Sequence, residues 1–458
     1  MYKHKKKDLL QTISVLQQAN DSVNKAISAN EQGLLALLAK CQEAAIGMGT
    51  YLEGLGNQYV SIIKTLEEYC ENLYQLNEVL INVLPLAEKE KEGRKIFKKI
   101  RKQLQQLQNA VTYNLPEDRK EIVFLPYKAS MWDSLESVWK AAEADENADT
   151  YVIPIPYYDK NPDGSFREEH YEGGLYPDYV PITKYDEYDF EQRRPDAIFI
   201  HNPYDDCNIV TSVHPFFYSE NLKKFTDKLV YIPYFVLDEV DPEDDVKIEE
   251  IKHLILPPAI FYSDKIVVQS ENMKRVYIKI LLDQAREQSS KSDRKYWEDK
   301  ILGLGSPKID KLRRTEKPAL KIPDGWKTIM QKPDGQRKRI ILYNVGVGTL
   351  LQYGEKLLAK MEKVFGVFKG QKDNIALIWR PHPLMESTLG AMRPQLYEWY
   401  MELRRRYVEE RWGIYDDTAN MERAVILSDA YYGDWSSIVT MYRETGKPIM
   451  IQNVEIEG

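Results

Sequence analysis

The chain has 458 residues, 43% hydrophobic and 29% charged, with a formal net charge of −8. That length is too great for one ordinary core and predicts two or three domains of an ordered soluble composition. The acidic balance argues against a general nucleic-acid binder, and three scattered cysteines (Cys41, Cys70 and Cys207) argue against a disulfide frame or thiolate metal site.

The basic start, "MYKHKKKDLLQTISVLQQAND", is followed by no apolar core of signal-peptide length, and no stretch approaches eighteen apolar residues. The expected location is therefore cytoplasmic. Residues 8 to about 112 read as helix. Ile13, Leu16, Asn20, Val23, Ile27, Asn30, Leu34 and Leu37 alternate spacings of three and four, the seam of a coiled coil, with the two asparagines placed to fix register. Glycines in "YLEGLGNQ" (51–58) break the pattern. A second periodic stretch runs from Val60 to Leu84, Pro85 ends it, and a third carries Phe97, Ile100, Leu104, Leu107 and Val111. The seam predicts either a homo-oligomer or an intramolecular hairpin. The Lys/Arg-rich face of the third stretch suits a solvated bundle face or contact with an anionic membrane surface.

From Lys120 the texture changes. "EIVFLPY" (121–127), "TYVIPIPYY" (150–158), "DAIFIHNPYD" (196–205), "KLVYIPYFVLDE" (228–239) and "KIVVQ" (265–269) are apolar strand segments separated by turns and helical patterns. Continuous apolar strands alternating with helices predict a parallel sheet covered on both faces. "GSPKIDKL" (305–312) closes this half, and a Pro/Lys-rich connector follows. "RIILYNVGVGTLL" (339–351), "NIALIWRPHPL" (374–384) and "SDAYYGDWSSIVTMYRETGKPIMI" (428–451) then begin a second alternation. The expected fold is α/β, a pair of Rossmann-like domains preceded by a helical region. The expected divisions are 1–115 helical, 119–312 first Rossmann-like domain, 313–337 linker and 338–458 second Rossmann-like domain.

In two doubly wound halves, ligands sit at the carboxyl ends of the strands. Three loops of the second half fall there. Gly346 and Gly348 permit close backbone approach, and Thr349 can cap the helix that follows. In "RPHP" two prolines fix the path, so Arg380 offers a planar fork for phosphate and His382 a hydrogen bond or a proton. Asp434, Ser436 and Ser437 precede a helix, where N-capping and phosphate binding compete for the same N–H groups. No Walker motif and no His/Cys metal spacing occurs.

These segments resemble the CDP-glycerol glycerophosphotransferases, the teichoic-acid primases and polymerases. That family's pattern includes "GxPRxD", an "LYAPTWR"-like strand and loop, an "HP" turn, and "SDxxITDYSS" before "KPIIF". The matching segments are "GSPKID" (305–310), "ILYNVGVGT" (341–349), "RPHP" (380–383) and "LSDAYYGDWSSIVTMYRETGKPIMI" (427–451), in the same order across residues 228–451. The resemblance implies a GT-B fold whose second domain binds a CDP-linked donor. His382, Asp434, Ser436 and Ser437 would contact its diphosphate, with Arg380 beside them and no metal or organic cofactor. An acceptor hydroxyl would attack the glycerol-bearing phosphate, releasing CMP. The acceptor would be a cell-surface polymer or its precursor, reached at the inner membrane face.

The family's "WHG" motif, whose His looks like the general base, has no match, because "LVYIPYFVLDE" (229–239) lacks a histidine. His201, which directly follows an apolar strand, is the favoured substitute. His214 and the Asp238/Glu239 pair are the alternatives. A GT-B second domain normally continues with more helix, so a chain stopping at Gly458 is either cut short or closed in an unusual way. Two other readings keep the same loops: a glycosyltransferase with a UDP- or CMP-sugar donor, and a non-catalytic assembly protein working through its N-terminal helices.

Overall fold

A computed structural model describes residues 3–26, 33–82, 85–115, 119–288 and 293–455. The chain forms two compact units that divide between Lys120 and Glu121.

The first unit contains helices α1 (Lys3–Ala26), α2 (Leu34–Leu55), α3 (Val60–Ile81) and α4 (Leu86–Asn109). α1 packs on α2 and α4, and α3 on α2 and α4, closing a bundle. The apolar seam is consumed inside it: Ile13, Leu16 and Val23 share one core with Leu38, Leu66, Leu73, Ile100 and Leu104. The expected seam residues Ile27 and Asn30 lie outside the described residues. Leu34 and Leu37 are only partly buried beside Leu38. The left-handed Gly33 (φ 108°) precedes α2, and Gly56 (φ 114°) closes it. Among the described residues, these stripes are buried within one chain. The outer face of α4 carries exposed Lys98, Lys99, Arg101 and Lys102.

The second unit begins with β1 (Lys120–Leu125), β2 (Ala148–Val152), β3 (Tyr157–Lys160), β4 (Phe166–His170), β5 (Ala197–Ile200), β6 (Thr211–Val213), β7 (Lys228–Tyr231), β8 (Lys265–Val267) and β9 (Ile301–Leu302). Its main sheet has the order β2-β1-β5-β7-β8-β9, and β1, β5, β7, β8 and β9 pair in parallel. The segment expected as one strand over 150–158 is split. Pro154 and Pro156 remove ladder donors, so β2 ends at Val152 and β3 joins a separate antiparallel sheet, β4-β3-β6.

The second half holds β10 (Arg339–Val345), β11 (Ile375–Pro381), β12 (Ile414–Tyr415), β13 (Ala430–Gly433) and β14 (Ile449–Ile451) in the parallel order β12-β11-β10-β13-β14. Both faces are covered. Tyr343, Val345, Leu377 and Trp379 enter one core, while Ile340, Leu342, Ala376 and Ile378 enter the other. That alternation explains why the strands read as unbroken apolar runs. The fold is thus a GT-B-like pair of doubly wound parallel sheets after an α-helical region. Between the sheets, helix Pro307–Arg314 lies within the segment expected to close the first domain, and helix Asp324–Met330 lies in the expected linker. Past Glu455 the chain is outside the described residues.

In each sheet the strand order reverses at its first strand, β1 or β10. β10 stands between β11 and β13, and the ends of these three strands are held at close quarters. Gly433 (φ 149°) passes so near β10 that a Cβ there would lie 2.0 Å from the carbonyl oxygen of Asn344. Gly433→Ala is expected to destabilise this unit by about 2–4 kcal/mol, read as a lowered thermal unfolding midpoint against wild type.

Candidate functional site

Asn344, 2% exposed at the end of β10, joins three strand ends. Its Nδ2 donates to the carbonyl of Arg380 on β11 (2.8 Å), and its Oδ1 accepts from Ser436 Oγ after β13 (3.0 Å). Asp434, also buried, completes the lock. Its Oδ2 accepts from the Gly346 N–H (2.7 Å), its Oδ1 from Gln452 Nε2 (2.6 Å), and its own N–H donates to the Asn344 carbonyl (3.0 Å).

This geometry gives several of the residues expected at a phosphate site partners within the chain. Asp434 is spent on holding strand ends, and its negative charge takes the Gly346 N–H that was expected for a ligand. Gly346 is therefore closed, while Gly348 has open space beside it and Thr349 makes no capping bond to helix Val347–Tyr353. Ser436 is an N-cap, accepting from the Ile438 N–H (3.3 Å) while hooked to Asn344. Ser437 opens the helix and lines, with Ser436, Trp435 and Asp238, a recess of about 410 Å³. Asp238 is not a free base: it accepts from Trp435 Nε1 (2.8 Å) and Thr440 Oγ1 (2.7 Å) and pairs with Arg443 (3.3 Å), strapping the two halves together.

Arg380 is likewise committed. Its Nη1 meets Asp416 Oδ2 at 2.7 Å and its Nη2 the Thr418 carbonyl at 2.8 Å, with guanidinium and carboxylate both buried. A buried arginine needs such a partner, which leaves no full charge for a phosphate. His201 lies at no cleft edge. It is completely buried, its Nε2 accepts from the Tyr127 N–H (3.1 Å), and Nδ1 therefore carries the proton it gives to Ser134 Oγ (2.8 Å). Burial, reinforced by Lys308, brings its pKa down to about 3, so it serves as a neutral wedge under the loop after β1. His214, the alternative, caps a short turn by accepting from the Phe216 N–H.

His382 is different. Its Nδ1 accepts from the Leu384 N–H (3.1 Å), which places the ring proton on Nε2, and among the described residues no side chain takes up that nitrogen. It lines a cleft of about 950 Å³ between the two halves of this unit. Burial first, then Lys128 and Lys308, bring its pKa down to about 4. His382 is thus a neutral N–H donor, suited to hydrogen-bond an anionic oxygen and not to take a proton through Nε2. Lys128, following β1, is buried on the same cleft. Its ammonium donates to Tyr157 Oη (2.7 Å) and stands 3.7 Å from Glu172. Burial lowers its pKa, with Glu172 and Asp159 opposing.

Sequence reasoning missed Lys128, Asp159, His170, Glu172 and Asp416 in this cleft. The available signals were Lys128 just past an apolar strand and the alternation of Glu168 with His170 in "FREEH". The structure brings Gly346, Asp434 and Ser436 together through hydrogen bonds. His382 and Arg380 line the larger cleft, apart from the recess of Ser436 and Ser437.

No family model matches the sequence, and no curated protein matches it. Solved structures similar to this chain include an S. aureus MnaA–UDP co-structure (12% identity, 72% of this chain and 78% of that one, TM-score 0.41). Another is a Methanocaldococcus jannaschii UDP-GlcNAc 2-epimerase in complex with UDP-GlcNAc and UDP (12%, 72% and 83%, TM-score 0.42). A variant of the wall teichoic acid polymerase TagF is a third (13%, 80% and 79%, TM-score 0.36).

Two predictions follow from the buried groups. Asp416→Ala strands the Arg380 charge and is expected to cost about 3–5 kcal/mol, more than Arg380→Met, in paired unfolding experiments. His382 and His201 stay neutral in the folded chain down to about pH 4 and 3, whereas unfolded histidine protonates near 6.5. Their contribution to stability is complete above pH 6.5 and is lost as the pH falls through this window. Unfolding midpoints measured from pH 7 to 4 should fall, and His382→Gln should make the slope shallower.

Proposed function

We propose that this protein is a GT-B-type transferase acting on a nucleotide-diphosphate donor, with CDP-glycerol or another CDP-alditol as the donor and a cell-surface polymer or its precursor as the acceptor. The observation that carries this reading is His382: a neutral, oriented Nε2–H donor on the wall of the cleft between two doubly wound halves, with Lys128 buried on the same cleft. A donor fixed in that form binds a phosphate oxygen without first giving up a proton, and it strengthens as charge develops on a departing nucleotide phosphate. The Lys128 ammonium adds positive potential and neutralises the diphosphate.

Catalysis of this kind rests on positioning and charge stabilisation. The donor's nucleotide occupies the second half and the acceptor hydroxyl approaches from the first. The hydroxyl oxygen forms a bond to the glycerol-bearing phosphorus, the bond to the CMP oxygen breaks, and the acceptor proton passes to a carboxylate of the cleft. Glu172 is the carboxylate proposed for this step. Tyr157 Oη donates to its Oε1 and the Ala129 N–H to its Oε2, each at 2.7 Å, which holds it at the cleft wall, and its side chain is 18% exposed there. His201 and Asp238 are not assigned the task, since neither lines this cleft.

The test is calorimetric titration of the full chain with CDP, CMP, UDP and GDP, followed by CMP release from CDP-glycerol. Saturable binding that prefers cytidine nucleotides, weakened about tenfold or more in His382→Ala, is the expected result. Preference for UDP would replace the glycerophosphate reading with that of a glycosyltransferase. Failure of all four to bind would overturn a nucleotide-dependent enzyme.

A further inference from the structure

The antiparallel sheet contributes a second set of groups to the same cleft. Tyr157 pairs with His170 and Tyr158 with Glu169, and the register shifts between Tyr158 and Lys160, so Asp159 has no partner on β4 while it stays paired with Thr211 on β6. Glu168 and His170 leave β4 on one side. Asp159, Glu168 and His170 each present a ligand atom, and these atoms lie within 4.8 Å of one another. His170 Nε2 is 3.2 Å from Asp159 Oδ2 and 4.0 Å from Glu168 Oε2.

Asp159 is 6% exposed, and its Oδ1 has no hydrogen-bond partner. An unmet carboxylate oxygen at that depth costs free energy that a partner would recover. Ser387, on the helix Met385–Met392, lies beside this carboxylate. Arg167 touches only the other oxygen, Oδ2, at 2.9 Å.

From this geometry we propose that Asp159, Glu168 and His170 bind a divalent transition-metal ion in the cleft wall. One imidazole with two carboxylates suits Mn²⁺ or Zn²⁺ better than Mg²⁺, which favours oxygen and retains its waters. An ion about 2.1 Å from each ligand holds ligand atoms up to about 4.2 Å apart, so small side-chain rotations close the set. The ion would take up the Asp159 carboxylate in place of its hydrogen bond with His170. Arg167 is its competitor, a fixed positive charge on the same carboxylate. The family resemblance implied a reaction without metal; this site stands on its own residues, whichever nucleotide enters the cleft.

The experiment is a titration of the full chain with Mn²⁺, following the free ion by electron paramagnetic resonance, with Zn²⁺ as competitor. One Mn²⁺ per chain is expected. Asp159→Asn, His170→Gln and Glu168→Gln should each weaken it about tenfold or more, and Arg167→Gln should tighten it. The Glu168 side chain is 68% exposed, so its replacement tests the site without endangering the fold. A cluster that is only an ion-pair network would give no saturable binding at millimolar Mn²⁺ or Zn²⁺, or binding indifferent to all three ligand variants. Either result overturns the assignment.

Discussion

The carboxylate of Asp434 sets the terms for the second half of this unit. It is buried at the end of β13, where an anion without donors would be very costly, and the chain supplies the Gly346 N–H and the Gln452 amide. Gly433, one residue earlier, removes the Cβ that would keep β13 off β10. Asn344 then extends the tie to β11 and to the helix cap at Ser436. Four strand ends are fixed by three side chains and one missing side chain. The loops that they fix gain precision and give up their own polar groups as ligands.

That trade decides where an anion can be met. Around the switch point, the Gly346 N–H is taken by Asp434, Ser436 is taken by Asn344, and Arg380 pairs with Asp416. His382 escapes because a backbone N–H, that of Leu384, occupies its Nδ1 and leaves the protonated Nε2 to the cleft. The lysines that depress its pKa are the charges that would draw a phosphate there. A neutral donor among cations gives up little on losing water and gains fully when an anion arrives. In the proposed transferase, recognition of the donor's phosphate would thus arise from electrostatics imposed by neighbours, with the histidine as the oriented contact.

The architecture was legible in the sequence because its cause is local. Apolar runs without alternation state that both faces of a strand are covered, and loops at the ends of such runs mark the switch point. The period of α1 announced a buried seam, yet the partner of a seam is chosen by the rest of the chain, and Leu38 replaced Leu34 at the core. Site roles were less legible for the same reason. Asp434 and Gly346 lie 88 residues apart, and Arg380 and Asp416 lie 36 apart. Residue type and loop position made Arg380 and Asp434 look like ligands; only the distant partner shows that each is already occupied. The cleft wall built by β3 and β4 was hidden behind two prolines that changed one expected strand into parts of two sheets.

The width of the cleft has its own physical cause. Helix Pro307–Arg314 carries the buried Lys308 and, one turn on, the half-buried Lys311. Lys308 pairs with Asp133 of the first half at 2.8 Å, while Lys311 reaches Glu136 of the first half (2.6 Å) and Glu422 of the second (3.1 Å). Burial opposes the charge of Lys311, but Glu422 and Glu136 outweigh it and hold its pKa above the ordinary value. Such a cluster adds little net stability over an apolar contact, yet it tolerates few other arrangements, because moving either half strands a charge. The two halves are therefore held by a set of directional pairs alongside apolar contacts such as Val236 in the second half's core and Ala419 in the first's. Since Lys308 also depresses the pKa of His382, the contact that fixes the separation of the halves helps to hold the cleft's donor in its neutral form.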